Sequence, residues 1–120
     1  MAKILAAEDE PLVRILIVEA LTEAGHTVVE ACDGEVALAI VKSTPDLDIV
    51  VSDVRMPKMD GFSLATAARA VRPLLKMFFI TGYPGTTLPA NLTDAKVMQK
   101  PFDPNELVAR IEAIVRKDLP

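Results

Sequence analysis

Residues 50–61 read VVSDVRMPKMDG, where an apolar run ends in an acid and is followed by a turn. The apolar run covers residues 47–52 and has the length expected of a buried strand. Asp53 follows it directly, and Pro57 and the Asp60-Gly61 pair favour a turn. The sequence therefore predicts a carboxylate at the carboxyl end of a buried strand.

Four further apolar runs of similar length occur along the chain, and helical periods separate them. Their ranges are 3–7, 27–31, 76–81 and 96–99. This alternation predicts an α/β fold with a doubly wound sheet of five parallel strands and right-handed crossovers. In such a sheet, residues just beyond the carboxyl ends of the strands converge on one crevice where the strand order switches.

Caps and apolar spacing mark the helices between these strands. Pro11 stands at a favourable first-turn position, and Gly25 supplies a stop. Between them, four apolar residues recur at helical spacing: Leu12, Ile15, Leu16 and Ala20. Further helices are expected after Asp33, over residues 61–71 and from Pro104.

Length and composition indicate a single globular domain over residues 1–120. The 17 acids outnumber the 13 scattered bases and give a net charge of -4, which disfavours direct binding to nucleic acid. No apolar stretch has transmembrane length and the N-terminus lacks a secretory signal, so we expect no membrane partner and a cytoplasmic location. The single cysteine, Cys32, excludes an internal disulfide.

Acids and a lysine follow three of the predicted strands. Glu8, Asp9 and Glu10 follow the first strand, Asp53 follows the third and Lys100 follows the last. Clustered carboxylates repel one another by roughly 4 kcal/mol per close pair at an effective dielectric constant near 20. Mg²⁺ relieves such repulsion, since it binds one or two carboxylates and keeps several waters. We therefore predict a magnesium site with Asp9 and Asp53 as direct ligands.

Asp53 is the predicted nucleophile of this site. Beside a metal ion, its carboxylate can attack a phosphoryl group in line and become an aspartyl phosphate. Lys100 is expected to pair with the phosphate, and the hydroxyl of Thr81, at the end of the fourth strand, to hydrogen-bond another phosphoryl oxygen. Taken singly, each residue also has a plain explanation as a turn former or a solvated charge. Together, at successive strand ends, they predict a phosphorylation-dependent switch.

Over essentially its whole length the chain resembles the receiver domains of two-component response regulators. Such domains carry an acidic pair after the first strand and a phosphoacceptor aspartate followed by Met-Pro and Asp-Gly. They also carry a hydroxyl residue after the fourth strand, and a lysine before a cis-proline after the fifth. The matching residues here are Glu8, Asp9, Asp53, Met56, Pro57, Asp60, Gly61, Thr81, Lys100 and Pro101. The resemblance implies a flavodoxin-like fold of five strand–helix units.

The resemblance also implies a chemistry and a set of partners. The implied ligands of Mg²⁺ are Glu8, Asp9, Asp53 and the backbone carbonyl of Arg55. Asp53 would receive its phosphoryl group from a sensor histidine kinase or a histidine phosphotransfer protein. The chain would hydrolyse its own aspartyl phosphate, and we expect no other enzymatic activity. A downstream protein would bind the face formed by the fourth helix, the fifth strand and the fifth helix.

The chain departs from the family pattern on this signalling face. Val97 stands three residues before Lys100, where family members often have an aromatic residue that swings inward. Tyr83, two residues after Thr81, is the candidate to take over that role or to gate water at Asp53. Two prolines and two glycines between Thr81 and Lys100 predict a short or irregular fourth helix.

The segments FFITGYP and KVMQKPF are similar to those of single-domain receivers of the CpdR type, a resemblance that suggests a protease-adaptor role in cell-cycle control. We therefore expect a stand-alone switch, and the alternative is a receiver excised from a longer regulator with an output domain. An aspartate-nucleophile phosphohydrolase is less consistent, since it needs a second acid where Arg55 stands. A flavin-binding module would need small residues in place of Glu8, Asp9 and Glu10.

Overall fold

The computed structural model describes residues 1–116, which contain five strands and four α-helices. In chain order the elements are β1 (Lys3–Ala7), α1 (Pro11–Glu23), β2 (Thr27–Ala31), α2 (Gly34–Ser43), β3 (Ile49–Asp53), α3 (Gly61–Val71), β4 (Lys76–Thr81), β5 (Lys96–Gln99) and α4 (Pro104–Arg116). The predicted strands are confirmed, except that β3 begins at Ile49 and includes Asp53. The expected domain also includes residues 117–120, which lie outside the described range. No helix of residues 1–116 has both the length and the apolar composition needed to cross a bilayer.

The strands form one sheet in the order β2-β1-β3-β4-β5, and all neighbours are parallel. The chain order reverses between β1 and β3, which makes this pair the switch point of a doubly wound sheet. In their register Ala7 lies beside Ser52, so Glu8 follows β1 close to Asp53 at the end of β3. The flavodoxin-like topology predicted from the sequence is confirmed.

Two hydrophobic core clusters lie on opposite faces of the sheet, because successive side chains of a strand alternate between its faces. On one face, Leu5 and Phe79 pack with buried residues of α2 and α3. On the other face, Ile4 and Phe78 pack with buried residues of α1 and α4. Helices therefore cover both faces of the sheet and leave the carboxyl ends of the strands open to the loops.

Helix α1 turns part of its apolar surface outward. Ile17 and Leu21 are buried against the sheet, whereas Leu12, Ile15 and Leu16 have exposed fractions of 82%, 49% and 41%. The spacing of these last three residues correctly marked the helix, but they lie on its solvent side. Helix α1 therefore presents an exposed apolar patch, formed by Leu12, Ile15 and Leu16.

The segment between β4 and β5 has a single 3₁₀ turn, Ala90–Leu92, where a fourth crossover helix was expected to be short or irregular. That prediction is confirmed. Leu92 is fully buried and anchors the turn in the core. Arg69 of α3 holds the same segment through two hydrogen bonds of 2.8 Å to the carboxylate of Asp94. The far half of the segment is thus fixed although it is not an α-helix.

Gly61 allows α3 to begin directly against β3. A Cβ at this position would lie 2.2 Å from the backbone oxygen of Asp53 and 3.1 Å from the hydroxyl oxygen of Ser52. The amide N–H of Gly61 donates to the carbonyl of Val54 at 2.7 Å. No side chain fits at this contact, which accounts for the glycine of the Asp60-Gly61 pair.

Replacing Gly61 with alanine is expected to lower the free energy of unfolding by about 2 kcal/mol or more, because the added Cβ overlaps backbone at the end of β3. Urea denaturation measures the change. Gly82→Ala is the matched control, since a Cβ there meets no heavy atom within 4 Å. It should change the unfolding free energy by less than about 0.5 kcal/mol. Equal losses in the two variants would contradict the proposed contact.

Candidate functional site

The carboxyl ends of β1, β3, β4 and β5 surround one open cavity of about 510 Å³. The cavity is lined by residues at these strand ends or just after them: Asp9, Glu10, Asp53, Arg55, Gly82, Tyr83 and Lys100. The parallel sheet places all four strand ends at the same edge. The structure therefore brings together the acids and the lysine that the sequence places at separate strand ends.

The ammonium group of Lys100 lies among three carboxylates. Its Nζ is 3.0 Å from Asp53 Oδ2, 3.1 Å from Glu10 Oε1 and 3.0 Å from Glu8 Oε1. Burial acts to lower the pKa of Lys100, but its bonds to the carboxylates outweigh that effect and raise the pKa above its ordinary value. Lys100 is therefore charged at all relevant pH values, and it is the positive charge that offsets the acids.

Glu8 is fully buried. Its Oε2 accepts a hydrogen bond from the amide N–H of Glu10 at 3.1 Å. Its Oε1 has no hydrogen-bond partner among residues 1–116, although it lies 3.0 Å from Lys100 Nζ in an ion pair. The pKa of Glu8 is raised to about 7, mainly because the side chain is buried and also because the negative charge of Asp53 lies nearby. The site thus holds a carboxylate whose ionised form is poorly solvated.

Three carboxylates of the site have the spacing of a metal site. Oxygens of Glu8, Glu10 and Asp53 lie within 4.8 Å of one another. Hard divalent cations such as Mg²⁺ prefer oxygen ligands, and Oε1 of Glu8, which has no hydrogen-bond partner among residues 1–116, is an oxygen that such an ion would satisfy. The residues present therefore fit a divalent cation.

The ligand set predicted from the sequence overlaps this group only in part. Glu8 and Asp53 belong to it, whereas Asp9 lines the cavity without being one of the three acids, and Glu10 is the third. The run of three acids is visible in the sequence, but the directions of the side chains are not. Asp9 and the backbone carbonyl of Arg55 remain predicted ligands.

The buried hydroxyl of Thr81 is held by the loop that follows β4. Its Oγ1 accepts a hydrogen bond from the amide N–H of Tyr83 at 3.1 Å and lies 3.2 Å from Thr86 Oγ1. The backbone carbonyl of Thr81 accepts a hydrogen bond from the N–H of Lys100 at 2.7 Å. Thr81 therefore links the site to the loop. Thr86 is a partner that the sequence analysis missed, since no spacing rule joins it to a strand end.

The two other candidate switch residues lie in different surroundings. Tyr83 is 54% exposed at the rim of the cavity, and the guanidinium of Arg55 stacks 4.2 Å from the centre of its ring. Val97 is partly buried and packs against the core cluster on the side of α2 and α3. Their roles in switching remain predictions.

The family model for the response regulator receiver domain matches residues 4–112. The chain belongs to the response regulator receiver domain family. The peptide bond between Lys100 and Pro101 is cis, which agrees with the lysine and cis-proline pattern noted in the sequence. The resemblance inferred from the motifs is confirmed.

Two relatives of this receiver come from Brucella abortus (strain 2308). It is 40% identical over 120 residues to the sensor kinase CckA, a match that covers 97% of this chain but only 13% of the kinase. It is 37% identical over 118 residues to the response regulator receiver protein CpdR, covering 96% of this chain and 98% of that protein. The predicted similarity to receivers of the CpdR type is thereby confirmed.

The fold comparison gives the same family. The crystal structure of the receiver domain from the hybrid histidine kinase CckA matches with a TM-score of 0.83 and 34% sequence identity. That match covers 95% of this receiver and 99% of the solved chain. The receiver thus corresponds to a small part of one relative and to nearly all of another.

Replacing Glu8 with glutamine in metal-free buffer near pH 8 is expected to raise the free energy of unfolding by about 2 to 3 kcal/mol, because a buried, unfavourable charge is removed. The folded chain holds the Glu8 proton more tightly than the unfolded chain does. Wild-type stability should therefore fall as the pH rises from 4.5, the ordinary pKa of a glutamate, to about 7, the pKa of Glu8 in the folded chain. The variant should lack this fall.

Chemical denaturation at several pH values from 4.5 to about 8 measures both effects. The control is Glu19→Gln, which changes an exposed acid on α1 and should alter stability by less than about 0.5 kcal/mol at every pH. A stability difference between Glu8→Gln and wild type that is independent of pH would contradict the interpretation.

Proposed function

We propose that this receiver is a phosphorylation-dependent switch in a two-component pathway, with Asp53 as the phosphoacceptor. The observation that supports this role is the position of the Asp53 carboxylate. It lies at the carboxyl end of β3, lines the cavity and is held by Lys100 Nζ at 3.0 Å. Membership of the receiver family supports the same role.

The proposed transfer forms one bond to phosphorus and breaks another. A carboxylate oxygen of Asp53 attacks the phosphorus of a phosphohistidine, and the P–N bond breaks as the new P–O bond forms. The imidazole of the donor leaves with the electron pair. Water later attacks the aspartyl phosphate, which regenerates the carboxylate and releases inorganic phosphate. The proposed donor is a sensor histidine kinase or a histidine phosphotransfer protein.

Mg²⁺ is the proposed cofactor, and the resemblance to receiver domains implies Glu8, Asp9, Asp53 and the backbone carbonyl of Arg55 as its ligands. The position of Glu10 adds one further oxygen donor. When bound, Mg²⁺ neutralises the carboxylates and the phosphoryl oxygens. Lys100 can then exchange a carboxylate partner for a phosphoryl oxygen, and Thr81 can donate its hydroxyl proton to another. Both contacts would form only in the phosphorylated chain.

The exposed apolar patch on α1 supports docking of the phosphodonor protein. Helix α1 begins directly after Glu10, so the patch formed by Leu12, Ile15 and Leu16 adjoins the acidic side of the cavity. A donor protein must bring its imidazole to Asp53. A contiguous apolar surface beside the site offers it an area of contact, and such surfaces mark interaction sites.

The downstream partner is proposed to bind the face formed by the segment between β4 and β5, by β5 and by α4. Similarity to CpdR over 98% of that protein supports a stand-alone adaptor. The match to 13% of the sensor kinase CckA supports the alternative, a receiver within a longer protein. A cytoplasmic location stays a prediction.

Arg55 weighs against an aspartate-nucleophile phosphohydrolase. That chemistry needs an acid two residues after the nucleophile to protonate the leaving group. Arg55 has no carboxyl group to fill that role, and its guanidinium stacks on the ring of Tyr83. The geometry therefore favours the signalling function over a general hydrolytic one.

Intact mass spectrometry after incubation with a small phosphodonor such as acetyl phosphate tests the proposed function. We expect one phosphoryl adduct on the wild type when Mg²⁺ is present, and no adduct on Asp53→Asn. Asp60→Asn is the matched control, because it changes a nearby acid whose side chain caps α3. An adduct that persists in Asp53→Asn would contradict the assignment. So would a wild-type chain that accepts no phosphoryl group from acetyl phosphate or from a phosphohistidine donor.

A further inference from the structure

Hydroxyl hydrogen bonds tie residues 82–88, the first half of the segment between β4 and β5, to the end of β4. Thr86 Oγ1 donates to the backbone carbonyl of Tyr83 at 2.7 Å. Thr81 Oγ1 lies 3.2 Å from Thr86 Oγ1 and accepts from the amide N–H of Tyr83 at 3.1 Å. We call these contacts among Thr81, Tyr83 and Thr86 the hydroxyl latch.

The direction of the bond between the two hydroxyl groups depends on where Thr86 donates its proton. Each threonine hydroxyl has one proton to donate and two lone pairs that accept. Thr86 uses its proton on the carbonyl of Tyr83, so only Thr81 can donate in the contact between the two oxygens. The single hydroxyl proton of Thr81 is therefore committed to Thr86.

The same proton is required by a phosphorylated Asp53. The phosphoryl oxygens of an acyl phosphate accept hydrogen bonds, so Thr81 can contact them only as a donor. Thr81 cannot donate one proton to a phosphoryl oxygen and to Thr86 at the same time. Once Thr81 donates to a phosphoryl oxygen, Thr86 has one proton for two acceptors, Thr81 Oγ1 and the carbonyl of Tyr83, so the hydroxyl latch loses one of its bonds.

Few other contacts hold residues 82–88 in place. Gly82, Pro84 and Gly85 are exposed, and Gly85 adopts a φ of 74°, outside helical geometry. The ring of Tyr83 rests on the guanidinium of Arg55, and Leu88 packs against the core at the far end. Between these two anchors the hydroxyl latch is the main constraint on the segment, so its opening would free the backbone to rearrange.

We propose that Thr86 is a positioning residue that couples phosphorylation at Asp53 to the conformation of residues 82–88. In the unphosphorylated chain Thr86 holds the segment against β4 through Thr81. Phosphorylation draws the proton of Thr81 to the phosphoryl group, opens the hydroxyl latch and lets the segment present a different surface. This inference rests on the proposed function, because it takes Asp53 as the phosphoacceptor.

The test compares wild type with Thr86→Val, which keeps the shape of the side chain and removes the hydroxyl. Thr86→Ser restores the hydroxyl, and Thr87→Val is the control at the adjacent position, where the hydroxyl makes only a 3.4 Å contact to the carbonyl of Gly85. The first readout is amide hydrogen exchange of residues 82–88, with and without Mg²⁺ and beryllofluoride, a mimic of the phosphoryl group. The second is the apparent affinity for beryllofluoride.

In wild type, Thr86→Ser and Thr87→Val, beryllofluoride should accelerate exchange in residues 82–88. In Thr86→Val, exchange should already be fast and should change little on addition of the mimic. Because closure of the latch competes with the phosphoryl contact, Thr86→Val should also bind beryllofluoride about three- to tenfold more tightly, by reciprocal linkage.

Exchange and affinity that match wild type in Thr86→Val would overturn the role of Thr86 and leave the proposed function intact. Wild type that binds no beryllofluoride and forms no adduct would instead overturn both. Urea denaturation confirms that each variant is folded under the conditions of the test. A merely structural role for Thr86 would alter exchange in the absence of the mimic without tightening its binding.

Discussion

One ammonium group among three carboxylates is the interaction on which the site depends. The parallel strands β1 and β3 place Glu8 and Asp53 side by side, and Glu10 approaches from the start of α1. Acids this close repel one another by roughly 4 kcal/mol per pair at an effective dielectric constant near 20. Lys100, carried to the same edge by β5, supplies the opposing charge at 3.0 to 3.1 Å. The fold therefore concentrates negative charge that it only partly neutralises.

Partial neutralisation suits a switch. A site whose acids were fully paired would have no reason to bind a cation, and one with no counter-charge would destabilise the fold. The buried Oε1 of Glu8 is in an ion pair with Lys100 but has no hydrogen-bond partner among the described residues, so it is an oxygen that a further positive charge would satisfy. The hydroxyl of Thr81 bonds to the loop, so under the proposed function a phosphoryl group on Asp53 would compete for it. Under the proposal, Thr81 and Thr86 couple the charge at the site to the conformation of the loop.

The strand ends could be predicted from the sequence because buried strands leave continuous apolar runs, and each functional residue stands at the end of such a run or just after it. Side-chain directions could not be predicted in the same way. The choice between Asp9 and Glu10 depends on how the chain turns into α1, and the outward face of α1 depends on how that helix packs against the sheet. Contacts between distant residues are also invisible locally. His26, for example, accepts from the N–H of Ala2 at 3.0 Å and lies 2.9 Å from Glu112.

The most direct test of the central claim is the affinity for Mg²⁺ of wild type and of Lys100→Met, measured by calorimetric titration near pH 8. Lys96→Met, which removes an exposed lysine of β5, is the control. If the ammonium of Lys100 stands in for a cation, its removal should strengthen Mg²⁺ binding by roughly tenfold or more, since a positive charge next to the ligands is lost. An equal or weaker affinity in Lys100→Met would contradict this, and would show that Lys100 does not compete with the metal for the carboxylates.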